Sequence, residues 1–215
     1  MTSPSGLADD PATVAVRLLQ AAILAITGYG AATGRIGVAI NGALALAVTA
    51  VPAALSWRLD YETDPRLAVW LALAALIHVG GFLGPYDQTT GIVGLYDNVA
   101  HSVSAGFVGG IGYAIVEALD ESSDRVSFPD GFRFVFTLVF VMAFGVAWEI
   151  GEFSAGALGQ LVAGQEVLVQ YGVVDIVSDL VFNTLAAAVV ALWGTGYFDG
   201  VAATLSREVF GTDRS

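Results

Sequence analysis

The stretch Ile36–Trp57, IGVAINGALALAVTAVPAALSW, carries no charged side chain from one end to the other. About 20 mostly apolar residues are what a helix needs to cross bilayer hydrocarbon, where no water can satisfy a backbone N–H or C=O. The pattern recurs on both sides of it. Ala15–Ala32, Leu67–Leu83, Ile92–Ala118, Phe132–Gly151 and Val173–Tyr197 are the other segments of this kind, which makes six expected spans. The predicted fold class is therefore all-α, a polytopic transmembrane helix bundle. Residues 15–198 form the transmembrane domain, residues 1–14 a polar disordered tail and residues 199–215 a cytoplasmic tail. Phe153–Gly172 is mildly apolar, with Gln160, Gln165, Glu166 and Gln170, and suits a surface-lying or re-entrant piece better than a further span.

Composition agrees. Of 215 residues, 56% are hydrophobic and 13% charged, against about a quarter charged in soluble domains. Formal net charge is −12, so a nucleic-acid partner is excluded and membrane lipids are expected instead. All eight basic residues are Arg, none Lys; with abundant Asp and Ala this is a halophilic-type composition, although an acidic surface on a high-GC protein looks similar. No cysteine is present, which removes disulfide and thiol chemistry. Met1–Pro11 is acidic and shows no cleavable signal pattern. Lipid-facing and protein-facing apolar surfaces look alike in sequence, so the oligomeric state is left open.

Arginine placement predicts orientation. Arg17, Arg58, Arg66, Arg125, Arg133, Arg207 and Arg214 fall on one set of alternate connections and only Arg35 on the other. The positive-inside rule then places both termini in the cytoplasm of a multi-pass cell-membrane protein. Gly106 and Gly110, four apart on the fourth span, would permit close helix contact.

The polar residues inside the spans gather at the expected outer side. Asp97 and His101 lie four apart in YDNVAHSVSAG; Glu149 and Glu152 lie three apart in WEIGEF; Asp175, Asp179 and Asn183 form a stripe in VVDIVSDLVFN, about 12 Å long at the helical rise. His78 sits near the end of the third span. Ionisable groups at such depth need pairing, hydration or an ion. Carboxylate oxygens with imidazole nitrogen suit a divalent metal ion, and shared protons are the alternative compensation. Asp97, His101, Glu149, Asp179 and Asp175 are the candidate metal ligands, with Glu152 as base and Asn183 orienting substrate or ligand. Each has a plainer reading. Asp97 and Asp175 are placed to cap helix N-termini, Glu152 to face water, and the others to bond helices together. Tyr86, Tyr96 and Trp148 suit an aromatic belt or packing between helices. Ser102 and Ser104 lack a hydrolase pattern, and no phosphate-binding glycine loop occurs.

The order YDNVAH, WEIGE, DIVSDLVFNTLAA over roughly Leu67–Trp193 resembles the YjdF-like family of inner-membrane proteins and, more remotely, VanZ-like membrane proteins. That resemblance implies the same polar positions, Asp97, His101, Glu149, Glu152, Asp175, Asp179 and Asn183. The match is looser around Asp175. The VanZ-like link to glycopeptide tolerance implies a lipid-linked or cell-envelope partner, by fold-level analogy alone. Three functions follow as expectations: metal-assisted chemistry on such a substrate at the outer leaflet, an ion-coupled transporter or channel, and a structural or scaffold membrane protein.

Overall fold

A computed structural model describes residues 10–59, 64–86, 93–122, 127–164, 167–168, 170–193 and 198–208. These residues form α1 (Pro11–Ala32), α2 (Ile36–Thr49), α3 (Val51–Leu59), α4 (Pro65–Gly81), α5 (Val93–Glu121), α6 (Asp130–Ala163), α7 (Val173–Trp193) and α8 (Asp199–Glu208). Five helical segments are long and apolar enough to cross a membrane: α1, Ile36–Arg58, α5, α6 and α7. The protein is a multi-pass membrane helix bundle. The remaining expected span corresponds to α4, whose 17 residues rise only about 25 Å, short of the roughly 30 Å hydrocarbon core.

Local chemistry sets the helix ends. Asp10 caps α1 by accepting from Thr13 N at 3.3 Å, and Asp64 caps α4 by accepting from Arg66 N at 2.8 Å; proline follows each cap. The helix thus begins at Pro11 rather than Ala15. A helical break at Ala50 divides the charge-free stretch into α2 and α3, beside Pro52, which has no N–H to donate. The larger correction concerns α6. Phe153–Gly172 is not a separate surface piece in its first half, because α6 runs unbroken to Ala163 and stops at Gly164, which takes the left-handed conformation with φ 64°. Residues 1–9 and 209–215, and Gly194–Tyr197 at the end of the sixth expected span, lie outside the described residues.

The helices pack as two triplets. One is α1, α2 and α4, meeting around Ile23, Ala45 and Val79; the other is α5, α6 and α7, meeting around Ala105, Val141 and Ala187. Contact of α4 with α5 joins them, and α8 docks on α5. The outward faces carry Leu18, Leu44, Val139, Leu185 and Trp193, all exposed, so the solvent that suits this surface is lipid.

Gly110 admits an aromatic ring rather than a helix backbone: a Cβ there would overlap the ring of Phe198, the fully buried residue that leads into α8. Phe198 packs with Leu67, Ala114, Ala118 and Ala202, edge-on to Trp70 and Phe107 at 6.0 Å. This knob fastens α8 to the bundle. Phe198→Ala should cost about 3–5 kcal/mol as a large-to-small core substitution. It should also free α8, seen as faster tryptic cleavage after Arg207; an unchanged cleavage rate would show that α8 is held by other contacts.

Candidate functional site

The mutual packing of α5, α6 and α7 brings five of the expected polar side chains together. His101 is the hub. Its Nε2 lies 3.8 Å from Asp97 Oδ1, one turn earlier on α5, and 3.7 Å from Asp179 Oδ2 on α7. Two groups of possible ligands share this imidazole: Asp97, His101 and Asp179, and His101, Glu149 and Glu152. Within each, one ligand atom per residue lies within 4.8 Å of the others. These two clusters could chelate a divalent metal. The His101 separations exceed a hydrogen bond. They approach the spacing of about 3.4 Å between donors that each sit 2.1 Å from a tetrahedral ion.

Burial makes the arrangement demanding. Asp97, Glu149, Glu152, Asp179 and Asn183 are all buried, Asp179 to 1% exposure. Neither oxygen of Asp179 has a hydrogen-bond partner, nor does Oε1 of Glu149. An isolated buried carboxylate costs several kcal/mol, so a proton or a cation has to balance it. An Arg–carboxylate pair joins Arg133 to Asp120, toward the other end of α5. Arg35, the one basic residue expected on this side, donates to Phe82 O at 2.7 Å and lies over the Tyr29 ring.

The other expected residues frame the hub. Asn183 is buried on α7, one turn beyond Asp179. Asp175 is in neither chelating group; its Oδ2 accepts from Tyr171 N at 3.1 Å. His78 lies half-buried among rings instead, edge-on to Phe82, Tyr86 and Trp148 at 5.5, 6.3 and 5.4 Å, with Nε2 3.5 Å from Asn41 Oδ1. Tyr86 and Tyr96 also pack edge-to-face, and Tyr96 ties α5 to α4 by donating to Ile77 O at 2.6 Å. Gly81 leaves the room that the Tyr86 ring occupies.

Several participants escaped the sequence reading. Gln170 Nε2 donates to Glu149 Oε2 at 3.1 Å and to Glu149 O at 3.2 Å. Tyr171 donates its hydroxyl to Tyr86 O. Asn41, the lone amide in the charge-free stretch, donates to Val167 O at 2.6 Å. Ser178 donates to Asn98 Oδ1 at 2.8 Å, linking α7 to α5 beside the hub. Asn41 and Gln170 were visible as amides in apolar surroundings; the Ser178–Asn98 pair offered no such signal.

Residues 14–200 match the family described as "Predicted membrane protein (DUF2238)". The chain belongs to this family. The DUF2238 match takes in both helix triplets and every side chain of the hub. Neither a curated protein nor a solved structure matches the chain.

An amide at Asp179 keeps the shape and removes the unpartnered charge. With metals stripped by chelator, Asp179→Asn should unfold at a higher temperature than wild type in detergent, by about 1–3 kcal/mol of relieved burial cost. A lower midpoint would mean that protein groups already satisfy this carboxylate.

Proposed function

We propose that the hub binds one divalent metal ion and that the protein uses it for chemistry on a lipid-linked or cell-envelope substrate at the outer leaflet. One observation carries the reading: four buried carboxylates converge on a single imidazole, and three of their oxygens lack any protein partner. Asp97, His101, Glu149 and Asp179 hold the ion in this scheme. A bound ion of this kind supplies Lewis acidity and an activated water. Glu152 accepts or returns the proton, and Asn183 orients the substrate or a ligand. Asp175, engaged by the Tyr171 amide, supports the rim rather than the ion.

The outer location counts α4 as a short sixth crossing and draws on the arginine asymmetry, which then favours the starts of α5 and α7 outside and both termini in the cytoplasm. The YjdF-like and VanZ-like resemblance supports an envelope substrate. A shallow apolar groove between α6 and α7, lined by Met142, Val177, Leu180 and Thr184, adds support for a substrate with a hydrocarbon chain. Gly145 stands between the two features: a Cβ there would lie 3.0 Å from both Leu180, in the groove wall, and Asn183, in the hub.

A purely structural ion or proton network is the second reading, favoured by the burial of Asp97, Glu149 and Asp179. Metal analysis of gently purified protein should find about one equivalent of divalent metal, lost in His101→Ala. At 100 times the dissociation constant, added Mn2+ or Zn2+ should stabilise wild type by about 2.7 kcal/mol. No copurifying metal together with no thermal shift removes the ion. A bound ion, with lipid products unchanged between cells carrying wild type and Glu152→Gln, leaves only the structural role. Ion flux into proteoliposomes that Asp179→Asn abolishes would favour a transporter.

A further inference from the structure

Between α6 and α7, Val167, Gln170 and Tyr171 are tied down by contacts from three directions. Asn41 of α2 holds Val167 O, the Tyr171 hydroxyl reaches Tyr86 O, and the Tyr171 amide meets Asp175. The remaining tie touches the hub itself. The Gln170 amide straddles one residue, donating both to the backbone carbonyl and to the carboxylate of Glu149. Two contacts from one planar NH2 group restrict the rotation of the Glu149 side chain. They also divide its oxygens: Oε2 is engaged, while Oε1 stays buried and without a partner.

We infer that Gln170 is a positioning residue that presents Glu149 Oε1 to the ion. The inference rests on the metal reading above and adds how one ligand is aimed. Carboxylate ligands are ordinarily held by such outer hydrogen bonds, whose loss weakens metal affinity by about 10–100-fold. Among the described residues no other donor meets the Glu149 carboxylate, so this effect falls on a single amide. The loop and the metal are thereby coupled. An ion on Oε1 holds Glu149 in the rotamer that Gln170 recognises, and Gln170 holds it in the rotamer that the ion needs.

The test is a Mn2+ titration of the purified full-length protein in detergent, followed by electron paramagnetic resonance. Gln170→Met keeps the length of the side chain and removes its donors. Wild type should take up one Mn2+, and Gln170→Met should bind it about 10–100-fold more weakly, with a thermal midpoint in chelator close to that of wild type. Equal affinity in the two proteins overturns this inference and leaves the ion site standing. A lowered midpoint in chelator with unchanged affinity also overturns it, since that is what a purely structural tie would do. No Mn2+ uptake by wild type removes the ion reading and this inference with it. Should Gln170→Met fail to fold, Gln170→Asn keeps the amide but shortens its reach. An intermediate loss of affinity in that variant supports the role, and affinity equal to wild type refutes it.

Discussion

Asp179 sits where three helices meet, fully buried, with neither of its oxygens bonded to the protein. Two unit charges 4.8 Å apart interact by about 3 kcal/mol at the effective dielectric typical of protein sites. The hub places several carboxylates at about that spacing. They cannot all be ionised together without something positive among them, and the side chains near them supply one imidazole. The packing of α5, α6 and α7 therefore depends on a partner that the chain does not itself provide, whether an ion or protons.

The rest of the bundle holds these helices at that spacing against their own repulsion. Gly109 brings Ala187 of α7 close to α5, and the Ser178–Asn98 hydrogen bond ties the same pair of helices within one residue of the hub. Phe198 seals the far end, where α8 covers α4 and α5. The α1, α2 and α4 triplet contributes Asn41 and the aromatic cluster around His78. These hold Val167 and Tyr171, between α6 and α7. Most apolar side chains on the outside face lipid, so tertiary precision here comes from small residues, rings and a few hydrogen bonds.

Much of this was legible in the sequence because it is encoded one helix at a time. Charge-free runs announce spans, and spacings of three and four put Asp97 with His101 and Asp179 with Asn183 on shared faces. What lay beyond local periodicity was missed. The end of α6 is set by the left-handed conformation of Gly164, twelve residues past Glu152, while the scattered glutamines there suggested an earlier exit. The pairing of Asn41 with Val167 bridges 126 positions, and that of Gln170 with Glu149 bridges 21. Neither has a signature in the intervening chain. Asp175 looked equivalent to Asp179 on the α7 stripe, yet a backbone amide from the preceding loop claims it. The Gly106–Gly110 pair suggested backbone contact, whereas rings fill both sites.

Counting charge sharpens what the hub must do. Asp97, Asp179, Glu149 and Glu152 carry −4 if all are ionised, and His101 contributes at most +1. A divalent ion bound through neutral imidazole leaves −4 + 2 = −2, still too much for a site shut away from water. An ion alone is therefore an incomplete answer, and protons alone would have to occupy most of the carboxylates at once. Ion and protons together would balance the site. A cluster built this way would keep an exchangeable proton beside a Lewis acid. Hydrolytic and transfer chemistry needs that pairing, whereas a scaffold could obtain the same packing from apolar residues at less cost.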